Sequence, residues 1–156
     1  TQQDFVQSIK QRLAHFNVPA HLIELEITET AIMDDEEFGI SVLQALSALG
    51  ISLSIDDFGT GYSSLGYLQR FPVNKLKIDQ SFVRNMATDT RDQALVLSIC
   101  QLAKNLGLDI IAEGVEEHAQ LKKLKEYNCD LIQGYLLSRP IPANEFEAFL
   151  AKGVSF

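Results

Sequence analysis

Ile51-Ser52-Leu53-Ser54-Ile55-Asp56-Asp57, running on into Phe58-Gly59-Thr60-Gly61-Tyr62-Ser63-Ser64, is the stretch on which the fold reading turns. Its alternation predicts a strand with aliphatic side chains on one face and small polar ones, ending in Asp56, on the other. Asp57 can join Asp56 at one site only if the backbone turns there, and the glycines just beyond permit such a turn. Adjacent carboxylates on a loop call for a cation.

The same pattern recurs on either side. Phe5, Ile9, Leu13 and Phe16 are spaced as a helix, and Glu24-Leu25-Glu26-Ile27-Thr28-Glu29 alternates as a strand. A helix then begins in Asp34-Asp35-Glu36-Glu37, carries Phe38, Val42, Leu46 and Leu49 on one face, and stops at Gly50. Beyond the glycine loop, a short segment around Leu65 and Leu68 ends near Pro72, and Lys75-Leu76-Lys77-Ile78-Asp79 is a third strand. Leu95, Ile99, Leu102 and Leu106 mark a long helix closed by Gly107, and Asp109-Ile110-Ile111-Ala112-Glu113 is a fourth strand. Leu121 and Leu124 place another helix, Leu131 to Tyr135 a fifth strand, and Phe146, Phe149 and Leu150 a closing helix.

Strands alternating with helices imply right-handed crossovers and a parallel sheet, either an open doubly wound sheet or a barrel. The polar residues near the strand ends decide between them. Glu26, Asp56, Lys77 and Glu113, with Gln133 as a fifth, oppose the aliphatic faces. An open sheet gathers its site at one crevice, whereas a barrel draws residues from the C-terminal ends of several strands. The expected fold class is therefore α/β, a TIM-like (β/α) barrel of which about the last five strands are present, since a complete one has eight strands and typically ~250 residues. The absence of an initial methionine agrees with a longer natural polypeptide.

Composition narrows the function classes. A chain of 156 residues, 46% hydrophobic and 22% charged, suits one soluble domain. No apolar run approaches a membrane span and the first residues lack signal-peptide character, so the expected location is cytoplasmic, including the cytoplasmic part of a membrane-anchored protein. A net charge of -8 argues against a nucleic-acid polymer as partner and means that an anionic ligand needs metal help. Cys100 and Cys129 lack a CxxC or neighbouring histidine and read as buried or free thiols rather than zinc ligands or a disulfide. The three histidines show no ligand spacing either.

Glu26, Asp56, Asp57 and Glu113 form a set of hard oxygen ligands suited to Mg²⁺ or Mn²⁺. Two cations sharing a bridging carboxylate, for which Asp56 is the natural candidate, can clamp a phosphodiester and activate water. Lys77 would orient that water or stabilise charge on a phosphoryl oxygen, with Asp79 holding its ammonium. Each residue alone has a plainer reading. An acid at a strand end is commonly a solvated terminus or a cap, Lys77 a surface ion pair, and Glu29 and Glu116 first-turn helix acids. Asp57-Phe58-Gly59 lacks the other signatures of a kinase, and Gly59-Thr60-Gly61 the third glycine of a dinucleotide fingerprint.

Taken in order, Glu24 to Thr30, Asp56 to Leu65, Lys77-Ile78-Asp79, Ala112-Glu113-Gly114-Val115-Glu116 and Gln133-Gly134-Tyr135 resemble the motifs of EAL-domain phosphodiesterases of bacterial cyclic di-GMP signalling. The resemblance covers nearly the whole chain. It implies a TIM-like barrel that cleaves one phosphodiester bond of cyclic di-GMP to give linear pGpG with Mg²⁺ or Mn²⁺. It further implies that Glu26 and Asp56 bind a first metal, that Asp56, Asp57 and Glu113 serve a second, and that Lys77 positions the attacking water. Asp79, Glu116 and Gln133 would line or support the site. Glu29 would anchor a loop from Phe58 to Ser64, containing Gly59 and Ser63, at a dimer interface.

One departure from the family is large. The Glu-Ala-Leu motif and a later metal-binding asparagine are missing from the sequence, so residues 1–156 read as the C-terminal portion of the domain. The expected partners are cyclic di-GMP, a second copy of the chain, and fused sensory or diguanylate-cyclase-type domains in the parent protein. A competing expectation is a catalytically inactive module for cyclic di-GMP binding or dimerisation. An unrelated phosphate-ester barrel enzyme is a third.

Overall fold

A computed structural model describes residues 2–28, 36–60 and 65–153. Helix α1 (Gln2–Phe16) and a single 3-10 turn (Ala20–Leu22) lead into β1 (Glu24–Thr28). Then follow α2 (Glu36–Ala48), β2 (Ser52–Phe58), α3 (Leu65–Leu68), β3 (Lys75–Ile78), α4 (Gln80–Asn85), α5 (Thr90–Leu106), β4 (Asp109–Ala112), α6 (His118–Glu126), β5 (Leu131–Ile132) and α7 (Ala143–Lys152). All neighbouring strands pair in parallel, in the order β1-β2-β3-β4-β5.

That order settles the choice of architecture. A doubly wound sheet reverses its strand order so that helices cover both faces, whereas sequential parallel strands joined by right-handed crossovers place every helix on one face. The structure is accordingly a five-stranded arc of a TIM-like barrel. Leu53 and Ile55 of β2, Leu76 and Ile78 of β3, and Ile110 and Ala112 of β4 point outward and are buried against the helix layer with Leu46, Val96, Ile99 and Ala103. The opposite, inner face carries Glu24, Glu26, Ser54, Asp56, Lys75 and Lys77, and the Lys75 ammonium lies 2.6 Å from Glu24 Oε2 across it.

Several boundaries differ from the periodicity reading. Strand β5 is two residues rather than five, because beyond Ile132 the backbone bends so that Val115 N–H donates to the Gln133 carbonyl at 3.0 Å. Helix α4 is wholly new: it is only six residues long and offers little periodic signal. Helix α5 starts earlier than its leucines suggest, since Asp89 caps it by accepting from the N–H groups of Arg91 and Asp92 at 2.7 and 3.3 Å.

Phe5, Phe16, Phe38 and Phe146, placed by periodicity on apolar helix faces, are all about half exposed or more. For Phe16 and Phe146 the reason is position: α1 flanks the edge strand β1, and α7 faces the cleft beside the other edge strand, β5. Among the described residues, each of these strands pairs on one side only.

Candidate metal centre

Carboxylates accumulate at the C-terminal ends of the strands, and β2 delivers two of them through an irregularity. Ile55 pairs with Leu76 and Phe58 with Ile78, so that Asp56 and Asp57 together oppose the single residue Lys77. This is a β-bulge, with Asp57 in the left-handed region at φ 53°. The extra residue shifts the alternation by one place, which returns Phe58 to the buried outer face and lets Asp57 join Asp56. The turn is thus made at Asp57 itself, two residues ahead of the first of the glycines expected to supply it.

Asp56, Asp57 and Glu113 each present a carboxylate oxygen within 4.8 Å of the others. Lys77 sits beside them, only 5% exposed, and its ammonium lies 2.7 Å from Glu26 Oε1, 2.8 Å from Asp56 Oδ1 and 2.7 Å from Glu113 Oε1. Burial alone would lower the pKa of this lysine. The three carboxylates outweigh burial and drive it well above its usual value, so Lys77 is a fixed cation. Asp56 Oδ1 is buried and, despite its closeness to Lys77, has no partner in hydrogen-bond geometry.

Asp79 differs from its expected role. It does not hold the Lys77 ammonium, which is taken by Glu26, Asp56 and Glu113. Instead Asp79 caps α4, accepting from the Ser81 N–H at 2.9 Å and from the Ser81 hydroxyl. Partial burial acts to raise its pKa, but the bonds from Ser81 and one from Asp57 bring it below the ordinary carboxylate value. Asp57 moves the other way: desolvation, the Asp56 charge and the hydrogen bond with Asp79 raise it against the pull of Lys77. The two carboxyls therefore shift in opposite directions, Asp57 holding its proton more tightly than an ordinary aspartate and Asp79 less.

The other expected positions separate into groups. Glu116 and Gln133 line a cleft of about 850 Å³ that also reaches Glu113, Arg84, Tyr135 and Phe149, with the Arg139 guanidinium 4.5 Å above the Tyr135 ring. Glu116 precedes α6 and is not one of its first-turn acids. Gly59 closes β2 against Phe82 and Ile99 of the outer layer. Glu29 and Ser63 lie outside the described residues.

A buried amide, that of Gln120, escaped the sequence reading. Its Oε1 accepts from the N–H groups of Glu116 and Glu117 at 2.8 and 2.9 Å, while its Nε2 donates to the carbonyls of Val83 and Arg84, both at 3.2 Å. A signal was available: Gln120 stands three residues after the helix-capping position Glu117, where Glu or Gln is favoured.

The donor set is all hard oxygen and carries more carboxylates than Lys77 can neutralise. Those properties fit Mg²⁺ or Mn²⁺ held by Asp56, Asp57 and Glu113. Comparison with known proteins agrees in kind. The sequence model of the EAL domain family matches residues 1–140. The chain is 46% identical over 145 residues to the cyclic di-GMP phosphodiesterase NbdA of Pseudomonas aeruginosa, covering 93% of this chain and 18% of NbdA. Its structure superposes on the phosphodiesterase of MucR from P. aeruginosa in complex with cyclic di-GMP with a TM-score of 0.87, at 42% identity, covering 94% of this chain and 61% of that one. It also resembles Klebsiella pneumoniae BlrP1 bound to manganese and cyclic di-GMP, with a TM-score of 0.81, 36% identity and coverage of 88% and 35%. The chain thus spans about a fifth of the length of the curated relatives it matches.

Proposed function

Because this chain belongs to the EAL domain family, we propose that it is the C-terminal portion of a metal-dependent phosphodiesterase that hydrolyses cyclic di-GMP to linear pGpG. The observation that carries this reading is the clustering of Asp56, Asp57 and Glu113 beside the buried cation of Lys77 at the C-terminal ends of parallel strands. In the proposed arrangement Glu26 and Asp56 hold one divalent cation, and Asp56, Asp57 and Glu113 a second. Bound cations supply a water of lowered pKa and neutralise charge on the phosphodiester.

The chain's own residues would do the rest. Lys77, permanently charged, attracts the phosphodiester and fixes the orientation of a neighbouring water. Glu113 and Asp56 keep the ammonium from turning away. Asp57 would serve as a ligand in its carboxylate form. Water adds to phosphorus, the bond to the 3′ oxygen breaks, and that oxygen takes a proton, leaving the 5′-phosphate of pGpG. Glu116 and Gln133 line the cleft in which the rest of the dinucleotide would lie. Glu29 would anchor the loop from Phe58 to Ser64, with Gly59 and Ser63 supporting it, at the contact between two copies of the chain.

We place the protein in the bacterial cytoplasm, in a polypeptide that includes further signalling domains. In support, no helix among the described residues is long and apolar enough to cross a membrane. MucR, of which the chain covers 21%, is a bifunctional diguanylate cyclase and cyclic di-GMP phosphodiesterase.

The test is incubation of the purified protein with cyclic di-GMP and Mn²⁺, with pGpG followed by chromatography and Lys77→Ala run beside it. Product formation lost in the variant supports the proposal. Binding of the nucleotide without product, unaffected by chelation, would make the protein an inactive binding module. Failure to bind either Mn²⁺ or nucleotide would sink both readings.

A further inference from the structure

The turn between β4 and α6 carries Glu113 at its start and Glu116 near its end, so its backbone sets where both carboxylates stand. It is gripped from two sides. On one side Val115 bonds to the segment after β5, its N–H donating to Gln133 O and its carbonyl accepting from Leu136 N–H, both at 3.0 Å. Gly134 lies so close that a Cβ there would meet Val115 O at 2.2 Å.

On the other side stands α4. Gly114, at φ 67°, comes near enough to Gln80 that a Cβ would meet the Gln80 Cβ at 2.7 Å. Gln120 supplies the polar half of this contact. It is 2% exposed, and its amide bridges the N–H groups of Glu116 and Glu117 to the C-terminal carbonyls of α4. The first residue of that helical unit is Asp79, the hydrogen-bond partner of Asp57. The α4 segment is therefore a short strut with Asp57 and Asp79 at one end and the Glu116 backbone at the other.

We propose that Gln120 is a positioning residue that sets the divalent-cation affinity of the Asp56–Asp57–Glu113 centre by pinning the β4–α6 turn to α4; the proposal rests on the metal-dependent reading above. Its amide is the one group in this contact that serves both donors and acceptors. An apolar side chain of equal volume would leave two N–H groups and two carbonyls to find other partners.

Gln120→Met and Gln120→Glu separate the terms. Glutamate keeps an acceptor for Glu116 and Glu117 but sets its second oxygen against the carbonyls of Val83 and Arg84, whereas methionine removes both functions at similar volume. Amide hydrogen exchange on the cation-free protein and Mn²⁺ affinity by calorimetry would be measured on the purified protein and both variants. In Gln120→Met, exchange at Glu116 and Glu117 should accelerate by at least about tenfold while β2 and β3 stay protected, and Mn²⁺ affinity should fall by about 10-fold to 100-fold. Gln120→Glu should lie between Gln120→Met and the parent in both respects. Exchange rising equally throughout the sheet, or local acceleration with unchanged Mn²⁺ affinity, would overturn the proposal and leave the metal centre standing. A parent protein without Mn²⁺ affinity would instead remove the metal-dependent reading itself.

Discussion

Glu26 and Lys77 meet at 2.7 Å although β2 lies between the strands that carry them. Adjacent strands are about 4.8 Å apart, so on a flat sheet these two backbones would be separated by nearly 10 Å. The contact is made over the inner face of β2, where the register partner of Glu26 is the small residue Ser54. One ammonium thereby ties together β1, β2 and the residue following β4, and its loss should be felt in all three.

Replacing Lys77 with methionine leaves Glu26, Asp56 and Glu113 without their shared cation. Removing one partner of a buried ion pair costs about 3–5 kcal/mol, and we expect a loss near the lower bound because Glu26 is half exposed. Mn²⁺ should stabilise the variant more than the parent in denaturant titrations. Identical unfolding curves without metal would contradict this account. Since the Lys77 pKa is raised on folding, its stabilisation is complete below about pH 10 and is lost as pH rises through the folded-state value.

Asp56→Asn keeps shape but removes the charge at the centre of the cluster. Mn²⁺ affinity should fall at least about 100-fold while the folded structure is retained, as calorimetry and circular dichroism would reveal. Undiminished affinity would move the cation away from Asp56.

Cation binding should weaken on acidification earlier than for ordinary carboxylates. Asp57 has a raised pKa and ligates as the carboxylate, so affinity falls as pH drops through a value above that of an ordinary aspartate. Asp79→Asn takes away the charge that helps to raise it, and the midpoint of Mn²⁺ affinity against pH should shift downward. An unmoved or rising midpoint would show that the Asp57–Asp79 bond does not govern the titration.

Gly134→Ala forces a methyl group to within 2.2 Å of the Val115 carbonyl, where no flexible side chain can give way. We expect about 3 kcal/mol of destabilisation, with the disturbance transmitted to Glu113 and Glu116. Gly134 also stands at φ 159°, a backbone conformation that residues with a Cβ rarely adopt, so strain adds to the clash. A melting temperature equal to that of the parent would disprove it.

Much of the scaffold could be read from periodicity. The outward aliphatic residues Leu53, Ile55, Leu76, Ile78 and Ile110 fall where alternation places them, and the polar residues Glu26, Asp56 and Lys77 on the face opposite. Even the bulge left a trace, because the apolar phase set by Leu53 and Ile55 resumes at Phe58 rather than at position 57. The edge helices were harder: Phe16 fits an apolar helix face yet is 68% exposed, since a pattern shows which face is apolar and not what stands against it.

For this protein the sequence alone determined the order of elements, the parallel sheet and the residue types that meet at its C-terminal edge, because these follow from side-chain periods of 2 and 3.6 that act locally. Only the tertiary structure decided that Asp79 serves α4 and Asp57 rather than Lys77, that Lys77 reaches across β2 to Glu26, and that Gln120 bonds to the Arg84 carbonyl 36 residues before it. Those relations depend on strand register, the added residue at Asp57 and the spacing of packed layers. Each is fixed by contacts between segments distant in the chain, which no local pattern records.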